Sequence, residues 1–334
     1  MVPFEQAQYD LIWTIDSTVA VTPGSLGRAV EAFLGTSVST SSFDSDLEST
    51  PLMADEMRRP PAAGDVGLIH FVPYAVVYQR TWGSLIEQAF LNTTHAKMYL
   101  AIVSGNHRYG LTLPQNALAL DSCVIGKSNL YSKANIASLT SPSPTLCQQP
   151  NPPTGLAGFS PFLAEDNMIA LSLWHELSLK HAMTGDVAVD FLGALPLRGY
   201  INRRVRWIRV RKRMAPIIAT LIEPFTESII CGIYGSWAID RLFGASKTAI
   251  FLVHMVLWLL VDLAVRDALR TDVKDVGPPS GTVSFVLAWL AREVMTMPIW
   301  IYGMMSSDVV WRGKKYRILT SGESSLSGSG RLLT

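Results

Sequence analysis

The distribution of apolar residues divides the chain near Met214 into two parts of different character. Before Met214, short apolar runs alternate with polar stretches. Short runs bounded by turn residues predict strands, and apolar residues repeated every three or four positions predict helices. The strands predicted in this way cover residues 9–17, 66–74, 97–103 and 122–126, and the helices cover residues 23–34, 81–91 and 167–183. Strands that alternate with helices indicate an α/β domain.

Three polar stretches interrupt this pattern. Residues 35–64 and 104–121 contain few large apolar side chains, and residues 142–161 are rich in proline and serine. Such compositions favour surface loops over packed elements. We therefore interpret the first two stretches as insertions into the domain, and the third as a loop that leads to the helix at residue 167.

The second part of the chain predicts a membrane region over residues 214–305. Residues 248–265 and 283–305 are each long and apolar enough to cross a hydrocarbon core of about 30 Å. Residues 214–243 are also largely apolar, but Pro216 and Pro224 interrupt them, so an interfacial or re-entrant helix is expected there. The membrane region is followed by a tail at residues 306–334.

Three charged residues lie inside the two predicted spans, Asp262 in the first and Arg292 and Glu293 in the second. Ionisable side chains are costly in lipid and usually face protein or water. We expect paired structural charges, and contact with a polar lipid headgroup is the alternative.

Basic residues are concentrated between Arg203 and Arg213, around Trp207 and directly before the apolar region. A basic run with an aromatic residue is compatible with nucleic-acid binding, but its position favours the cytosolic border of a membrane. The whole chain has a net charge of only +1, with 16% charged and 49% hydrophobic residues. This composition excludes a general polyanion binder, and no nucleic-acid partner is expected.

A second basic segment, residues 312–317, follows the last predicted span. Two crossings place both basic segments on the same side of the membrane, whereas three would place the tail in the lumen. We therefore expect residues 1–213 and residues 306–334 to be cytosolic.

The candidate chemistry begins with carboxylates at the ends of predicted elements. Asp16 ends the first strand, and Glu165 and Asp166 begin a helix. Each position also has an ordinary structural explanation, a turn for Asp16 and a helix cap for the pair. His175 and His181 are six residues apart, which places them on different faces of a helix and argues against a zinc site.

Taken together, these motifs resemble a known family. Asp16, Asp166 and the sequence Arg203-x-x-Arg206-Trp207 before membrane helices resemble the D, D, (Q/R)xxRW pattern of membrane-bound inverting glycosyltransferases. More narrowly, five segments are similar to the ceramide glucosyltransferase family, and the polar insertions resemble those of fungal members. These segments are YDLIW at 9–13, VGLIH at 66–70 with Pro73-Tyr74, AED at 164–166, ARE at 291–293 and the tail from Trp311 to Arg317.

The resemblance implies a partial GT-A domain that transfers glucose from UDP-glucose to the primary hydroxyl of ceramide with inversion, at the Golgi or endoplasmic reticulum membrane. It implies that Asp166 is the general base and that Asp16 binds a divalent cation, Mg²⁺ or Mn²⁺, together with the sugar nucleotide. The remaining substrate-binding residues that it implies are Glu165, Arg203, Arg206, Trp207, His95 and Cys123.

One departure from the family concerns the start of the chain. Family members begin with a transmembrane helix and the first sheet strands, which carry the uracil-binding surface and an earlier Asp, whereas this chain starts directly before the strand of Asp16. We therefore expect weak activity or none from this chain. Two other readings stay open: a processive polysaccharide synthase, which shares the Arg-x-x-Arg-Trp pattern, and an inactive membrane remnant.

Overall fold

The computed structural model describes residues 2–35, 66–99, 124–214, 217–273 and 281–327. A mixed five-stranded sheet, in the order β1-β4-β3-β5-β2, forms the centre of the first part of the chain. The neighbours β3 and β5 run parallel, and the other pairs are antiparallel. The strands are β1 (Leu11–Ile15), β2 (Val19–Val21), β3 (Val66–Val77), β4 (Ser128–Ser132) and β5 (Lys180–Leu192).

Helices cover the sheet and connect its strands. They are α1 (Val2–Gln6), α2 (Ser25–Leu34), α3 (Trp82–Phe90), α4 (Lys133–Ser138), α5 (Pro144–Cys147), α6 (Glu165–His175) and α7 (Leu197–Met214). One cluster of buried apolar residues lies between α6 and the sheet, around Leu68 and Leu173, and another lies between α2 and the sheet, around Ala29 and Phe71. The predicted α/β domain is thus confirmed.

The strand predicted over residues 66–74 continues past Pro73 to Val77. The β4 strand pairs with β3 only at Leu68–His70, so beyond these residues β3 has a single strand neighbour, β5. A proline is tolerated in a strand where one side lacks a ladder partner. The predicted end of this strand at residue 74, directly after the proline, was therefore wrong.

The strand predicted over residues 97–103 was also wrong, as far as the structure describes it. Residues 96–99 are helical and continue a π-helical turn, Leu91–His95, that follows α3. Ala96 and Tyr99, three residues apart, belong to one buried cluster with Val72 of the sheet, and this spacing fits a helix rather than a strand.

Two further boundaries differ from the prediction. The strand expected at residues 122–126 is β4, which begins at Ser128, after a turn at Gly126 and Lys127. The helix expected to reach residue 183 ends at His175, and Ser178 then takes a positive φ of 54°. His181 consequently lies in β5 rather than in a helix.

The C-terminal part consists of helices followed by a small sheet. Its elements are α8 (Ile217–Ile222), a 3₁₀ turn (Glu223–Thr226), α9 (Ser228–Phe243), α10 (Lys247–Arg270), α11 (Thr282–Met304), β6 (Asp308–Trp311), β7 (Lys314–Ile318) and β8 (Ser324–Leu326). By length and composition, α10 and α11 are each able to cross a membrane. One side of α11 packs against α3 and α7, and a shared cluster of buried residues there includes Trp289 and Ile86.

The three charged residues inside the two predicted spans, Asp262, Arg292 and Glu293, are buried against protein, as expected. Arg292 pairs with Glu227 at 2.5 Å and also with Glu293. Asp262 pairs with Lys97 at 2.6 Å and accepts a hydrogen bond from the indole of Trp289 at 2.7 Å.

The basic cluster of α7 is bound to the end of α11. Lys212 donates to the carbonyl oxygens of Met304 at 3.1 Å and Ser306 at 2.5 Å, and Arg209 donates to those of Tyr302 at 3.3 Å and Asp308 at 2.5 Å. Cations stabilise the unpaired carbonyl groups at a helix C-terminus. These bonds place the end of α11, and hence the start of the tail, beside α7.

Candidate functional site

Asp16 lies in the turn after β1, where its carboxylate meets the ammonium group of Lys127. The distance between Asp16 Oδ2 and Lys127 Nζ is 2.7 Å, and the Asp16 side chain is 39% exposed. Partial burial raises the pKa of Asp16, but the hydrogen bond and charge of Lys127, together with the charge of Arg203, lower it below its usual value. Asp16 is therefore an ionised and accessible carboxylate.

Lys127 also binds a second, buried carboxylate. Its ammonium lies 3.2 Å from Asp190 of β5, which is 1% exposed, and Asp190 accepts a further hydrogen bond from Thr18 at 2.8 Å. Asp190 thus fixes the position of the lysine that contacts Asp16. The turn of Gly126 and Lys127 places this ammonium at the end of β1 because Lys127 O accepts a hydrogen bond from Asp16 N at 3.0 Å.

Asp166 lies in the first turn of α6, on the other side of the same turn. A Cβ added at Gly126 would come within 3.1 Å of Asp166 Oδ2, so the carboxylate lies directly against the glycine. Burial, followed by the negative charge of Glu165, raises the pKa of Asp166 to about 6. A carboxylate with this pKa is mostly ionised at neutral pH and is still basic enough to accept a proton.

The third component is a half-buried face of α7, where Arg203 meets a buried acid. Arg203 Nε lies 3.1 Å from Glu87 Oε1 of α3, and Glu87 is fully buried. The Arg203 guanidinium also lies over the ring of Trp207 at 5.6 Å. Arg206, one turn further along, has its pKa lowered by burial and by Arg203.

His95 and Trp207 are brought together, although 112 positions separate them in the sequence. Their ring centroids are 5.8 Å apart, and Phe90 contacts both rings. Burial, together with the charges of Arg204, Arg211 and Arg203, lowers the pKa of His95 to about 3. His95 is therefore neutral at physiological pH and acts as a packing partner of Trp207 rather than as a proton donor.

The structure thus brings the two predicted acids, Asp16 and Asp166, close to each other and to the predicted arginine, Arg203. Asp16 and Asp166 contact the same turn at residues 126–127, and Arg203 is close enough to Asp16 to affect its pKa. Glu165 is exposed at the start of α6. Cys123 lies outside the described residues.

Sequence reasoning missed Lys127, Asp190 and Glu87. No motif or spacing marks Lys127 and Asp190, because they meet only through pairing of distant strands. Glu87 lies on the inner side of α3, and a buried acid within an amphipathic helix was the signal that could have revealed it.

In the part of the chain that the structure describes, the side chains of this site do not form a metal site by themselves. Among the residues that the structure describes, no group of three His, Cys, Asp or Glu side chains is arranged to hold one. The carboxylate of Asp16, the predicted ligand, is paired with an ammonium group instead. A divalent cation therefore stays a prediction, and no step below depends on it.

Comparison with known proteins gives a consistent group of relatives. The chain is 31% identical to the ceramide glucosyltransferase of Komagataella phaffii over 94% of this chain and 66% of that protein. It is 34% identical to the ceramide glucosyltransferase of Candida albicans over 72% of this chain and 48% of that protein. It is 25% identical to ceramide glucosyltransferase 1 of Caenorhabditis elegans over 71% of this chain and 43% of that protein. The aligned part of the chain therefore covers just under two thirds of the first of these relatives and less than half of the other two.

The fold and the site together define a class of protein, a GT-A-like glycosyltransferase with a membrane region. Its features are a mixed α/β domain, one acid after a strand and another at the start of a helix, an Arg–Trp helix beside these acids, and apolar helices after the domain. The family is shown by a match to the description "Glycosyl transferase family 21" over residues 152–324, more than half of the 334 residues. This chain belongs to glycosyl transferase family 21, and the resemblance inferred from its motifs is confirmed.

Proposed function

We propose that this chain transfers glucose from UDP-glucose to the primary hydroxyl of ceramide, with inversion, to form glucosylceramide. The observation that carries the proposal is Asp166, a carboxylate with a raised pKa that lies beside the turn holding Asp16 and Lys127. The names of the relatives, ceramide glucosyltransferases, support the choice of acceptor.

In this reaction Asp166 takes the proton from the ceramide hydroxyl as its oxygen attacks the anomeric carbon of glucose. The bond between that carbon and the diphosphate oxygen breaks, and UDP leaves with the bonding electron pair. Attack by the acceptor from the face opposite the leaving group inverts the anomeric centre. A single well-placed base is enough for such a displacement.

Positive side chains stabilise the negative charge that develops on the leaving diphosphate. Arg203 and Arg206 supply guanidinium groups on the accessible face of α7, and Lys127 supplies an ammonium group beside Asp16. Fixed charges of this kind act most strongly in a partly desolvated site. Asp16 is then left to accept a hydrogen bond from the sugar nucleotide.

The acceptor requires a site next to a bilayer, because each CH₂ removed from lipid costs about 0.8 kcal/mol. Large apolar side chains are exposed in α9 and α10, among them Tyr234, Trp237, Leu252 and Leu257. Exposed apolar surface of this extent is typical of lipid contact. We place these helices in the Golgi or endoplasmic reticulum membrane, with the catalytic domain facing the cytosol.

The test is transfer of radiolabelled glucose in microsomes containing the chain. Glucosylceramide with a β-linkage, formed from UDP-glucose and ceramide, is the expected product. Because the sequence predicts weak activity at most, a low rate of transfer is the expected result. A polymer that grows without ceramide identifies a processive synthase instead, and the complete absence of transfer identifies an inactive remnant and refutes the proposal. Matched microsomes without the chain give the background.

The pH profile tests Asp166 and its neighbour. Because the base form is lost as pH falls through about 6, transfer should decline below that pH, by about tenfold per unit. Replacing Glu165 with Gln removes a nearby negative charge, so the acid limb should move to lower pH while the rate at neutral pH is kept. A loss of rate at every pH would instead mean that Glu165 binds substrate directly.

Lys127 is expected to govern donor affinity. Lys127→Met removes the charge that orients Asp16, and a charge-assisted hydrogen bond contributes about 1.5–3 kcal/mol. The KM for UDP-glucose should therefore rise about tenfold or more, with little change in the KM for ceramide.

Because Lys127→Met also leaves the buried Asp190 without its cation, stability needs a separate control. The double variant Lys127→Met/Asp190→Asn removes both charges and should restore the thermal stability without restoring the KM. Lys314→Met removes an exposed lysine of β7, outside the site, and should change neither quantity. An unchanged KM in folded Lys127→Met would contradict the assignment.

A further inference from the structure

The exposed apolar residues of α11 form a single stripe along the helix. They follow one another at intervals of three, four or seven positions, as Val283, Leu287, Leu290, Val294 and Ile301. Residues at these intervals lie on one side of a helix. The opposite side carries Phe285, Trp289 and Ile299, which are buried in the cluster shared with α3 and α7. One side of α11 thus faces the catalytic domain, and the other side presents a stripe of large apolar side chains to the surroundings.

The contact between α11 and the catalytic domain extends over most of the length of α11. Tyr200 of α7 lines a small cavity together with Arg292, and Lys212 donates to the carbonyl oxygen of Met304 at 3.1 Å. Each helix advances by 12 positions between these two contacts, so α7 and α11 run side by side in the same direction. If α11 crossed the bilayer, the arginines of α7 would be carried into the hydrocarbon, where ionisable side chains are costly.

The second half of α10 is also fixed on the catalytic domain. Lys97 Nζ lies 4.6 Å from the ring centre of Trp258. Further along, Val265 and Leu269 pack against the buried cluster that contains Val72 of β3. The 11 residues of α10 that precede Trp258 span about 16 Å, roughly half of a hydrocarbon core of about 30 Å. This part of α10 is therefore too short to cross a bilayer.

The helices α9 and α10 form a hairpin whose two outer ends are both held by protein. Ser228, at the start of α9, donates a hydrogen bond to the buried Glu293 of α11, and the end of α10 lies on the sheet. The turn of the hairpin, residues 244–246, lies between Asp240 and Lys247, which pair at 3.2 Å. Charged side chains beside this turn favour the level of the lipid headgroups over the hydrocarbon. The 16 residues of α9 span about 24 Å, which is also less than the thickness of the core.

We propose that α9, α10 and α11 lie parallel to the cytosolic surface of the bilayer, with their exposed apolar side chains in one leaflet, and that none of these three helices crosses it. Helices with one apolar side bind membranes in this way. Hydropathy alone favours two crossings by α10 and α11, but both arrangements place residues 1–213 and the tail on the same side. Because α7 runs beside α11, Arg203 and Trp207 are then held at a fixed height above the leaflet from which a lipid acceptor would come.

Cysteine labelling in sealed microsomes tests this arrangement and needs no activity. Single cysteines are introduced as Arg241→Cys, beside the turn of the hairpin, and Thr271→Cys, at the end of α10. Both positions are exposed, and the native Cys123, Cys147 and Cys231 of the full chain are replaced with serine. A membrane-impermeant maleimide added outside the microsomes should label both variants, and permeabilisation with detergent should not increase the labelled fraction.

Labelling that requires permeabilisation would overturn the proposal. If α10 crosses the bilayer, Thr271→Cys lies in the lumen and is protected until detergent is added. If the hairpin crosses and returns, the same holds for Arg241→Cys. Ser325→Cys, at an exposed position of the tail, is the matched control, because it is cytosolic in each of these arrangements. A lumenal protein with a free thiol, which must stay unlabelled, shows that the microsomes are sealed.

Depth measurements test the stripe of α11 itself. A fluorophore is attached to single cysteines that replace the exposed Leu287, Val294 and Ile301, one at a time, in the full chain reconstituted into vesicles of phosphatidylcholine and phosphatidylserine. Quenching by lipids with a nitroxide at different acyl-chain positions should give the same depth for all three, within one leaflet. A crossing helix would spread these depths over about 21 Å, which would overturn the proposal. Absence of quenching at all three positions would mean that a second copy or another protein covers the stripe, and would overturn it as well.

Discussion

Asp166→Asn is expected to lower the turnover of glucose transfer by about 100- to 10,000-fold, the usual contribution of a general base. The amide has the shape of the carboxylate but cannot take the proton from the acceptor hydroxyl. The KM for UDP-glucose should change little, because the donor is bound by Asp16, Lys127 and the arginines of α7. Steady-state kinetics in microsomes, with donor and acceptor varied separately, give both values.

Loss of folding is not expected to explain this effect. The pKa of Asp166 is raised mainly by burial, which means that the fold disfavours the charged form. A neutral amide should therefore be tolerated or should stabilise the protein at neutral pH. Asp267→Asn, at an exposed carboxylate of α10, is the matched control and should keep full activity. A turnover within about tenfold of the unchanged chain in Asp166→Asn would remove Asp166 as the base.

The parts of the fold that the sequence predicted are those with strong local signals. Helix α3 was predicted within a residue of its observed bounds because its apolar spacing is regular and Thr81 caps it. The predictions were wrong where tertiary contacts, rather than the local sequence, determine the backbone conformation. The π-helical turn and the helical residues after it are held by Asn92, whose side-chain amide bonds both backbone groups of Ala75, and no local pattern shows that contact.

The residues of the candidate site also fall into those that local motifs predicted and those that depend on tertiary contacts. Asp16, Asp166, Arg203 and Trp207 belong to short motifs at the ends of elements, which a sequence displays directly. Lys127, Asp190 and Glu87 act through pairs between distant segments, such as the 63-position separation of Lys127 and Asp190. A single sequence reveals which side chains carry charge, whereas the sheet register decides which charges meet.

A large loss of stability is expected when Arg292, at the centre of the helical region, is replaced. It is 1% exposed and is bound by Glu227 and Glu293, and Glu293 in turn accepts a hydrogen bond from Ser228. Arg292→Met leaves two carboxylates buried without a cation, and breaking a buried pair in this way destabilises a protein by about 3–5 kcal/mol. We expect most of this variant to be lost from membranes as unfolded protein.

The measurement is the fraction of protein that stays folded in detergent after heating, which needs no activity. Arg317→Met breaks an exposed pair with Asp308 and should cause no measurable change, since solvent screens such pairs. The triple variant Arg292→Met/Glu227→Leu/Glu293→Leu removes the whole buried charge cluster. It should recover most of the stability, because well-packed apolar residues often replace a buried ion pair without loss. Equal stability of Arg292→Met and the unchanged chain would mean that these carboxylates reach water, and would contradict the packing of α9 against α11.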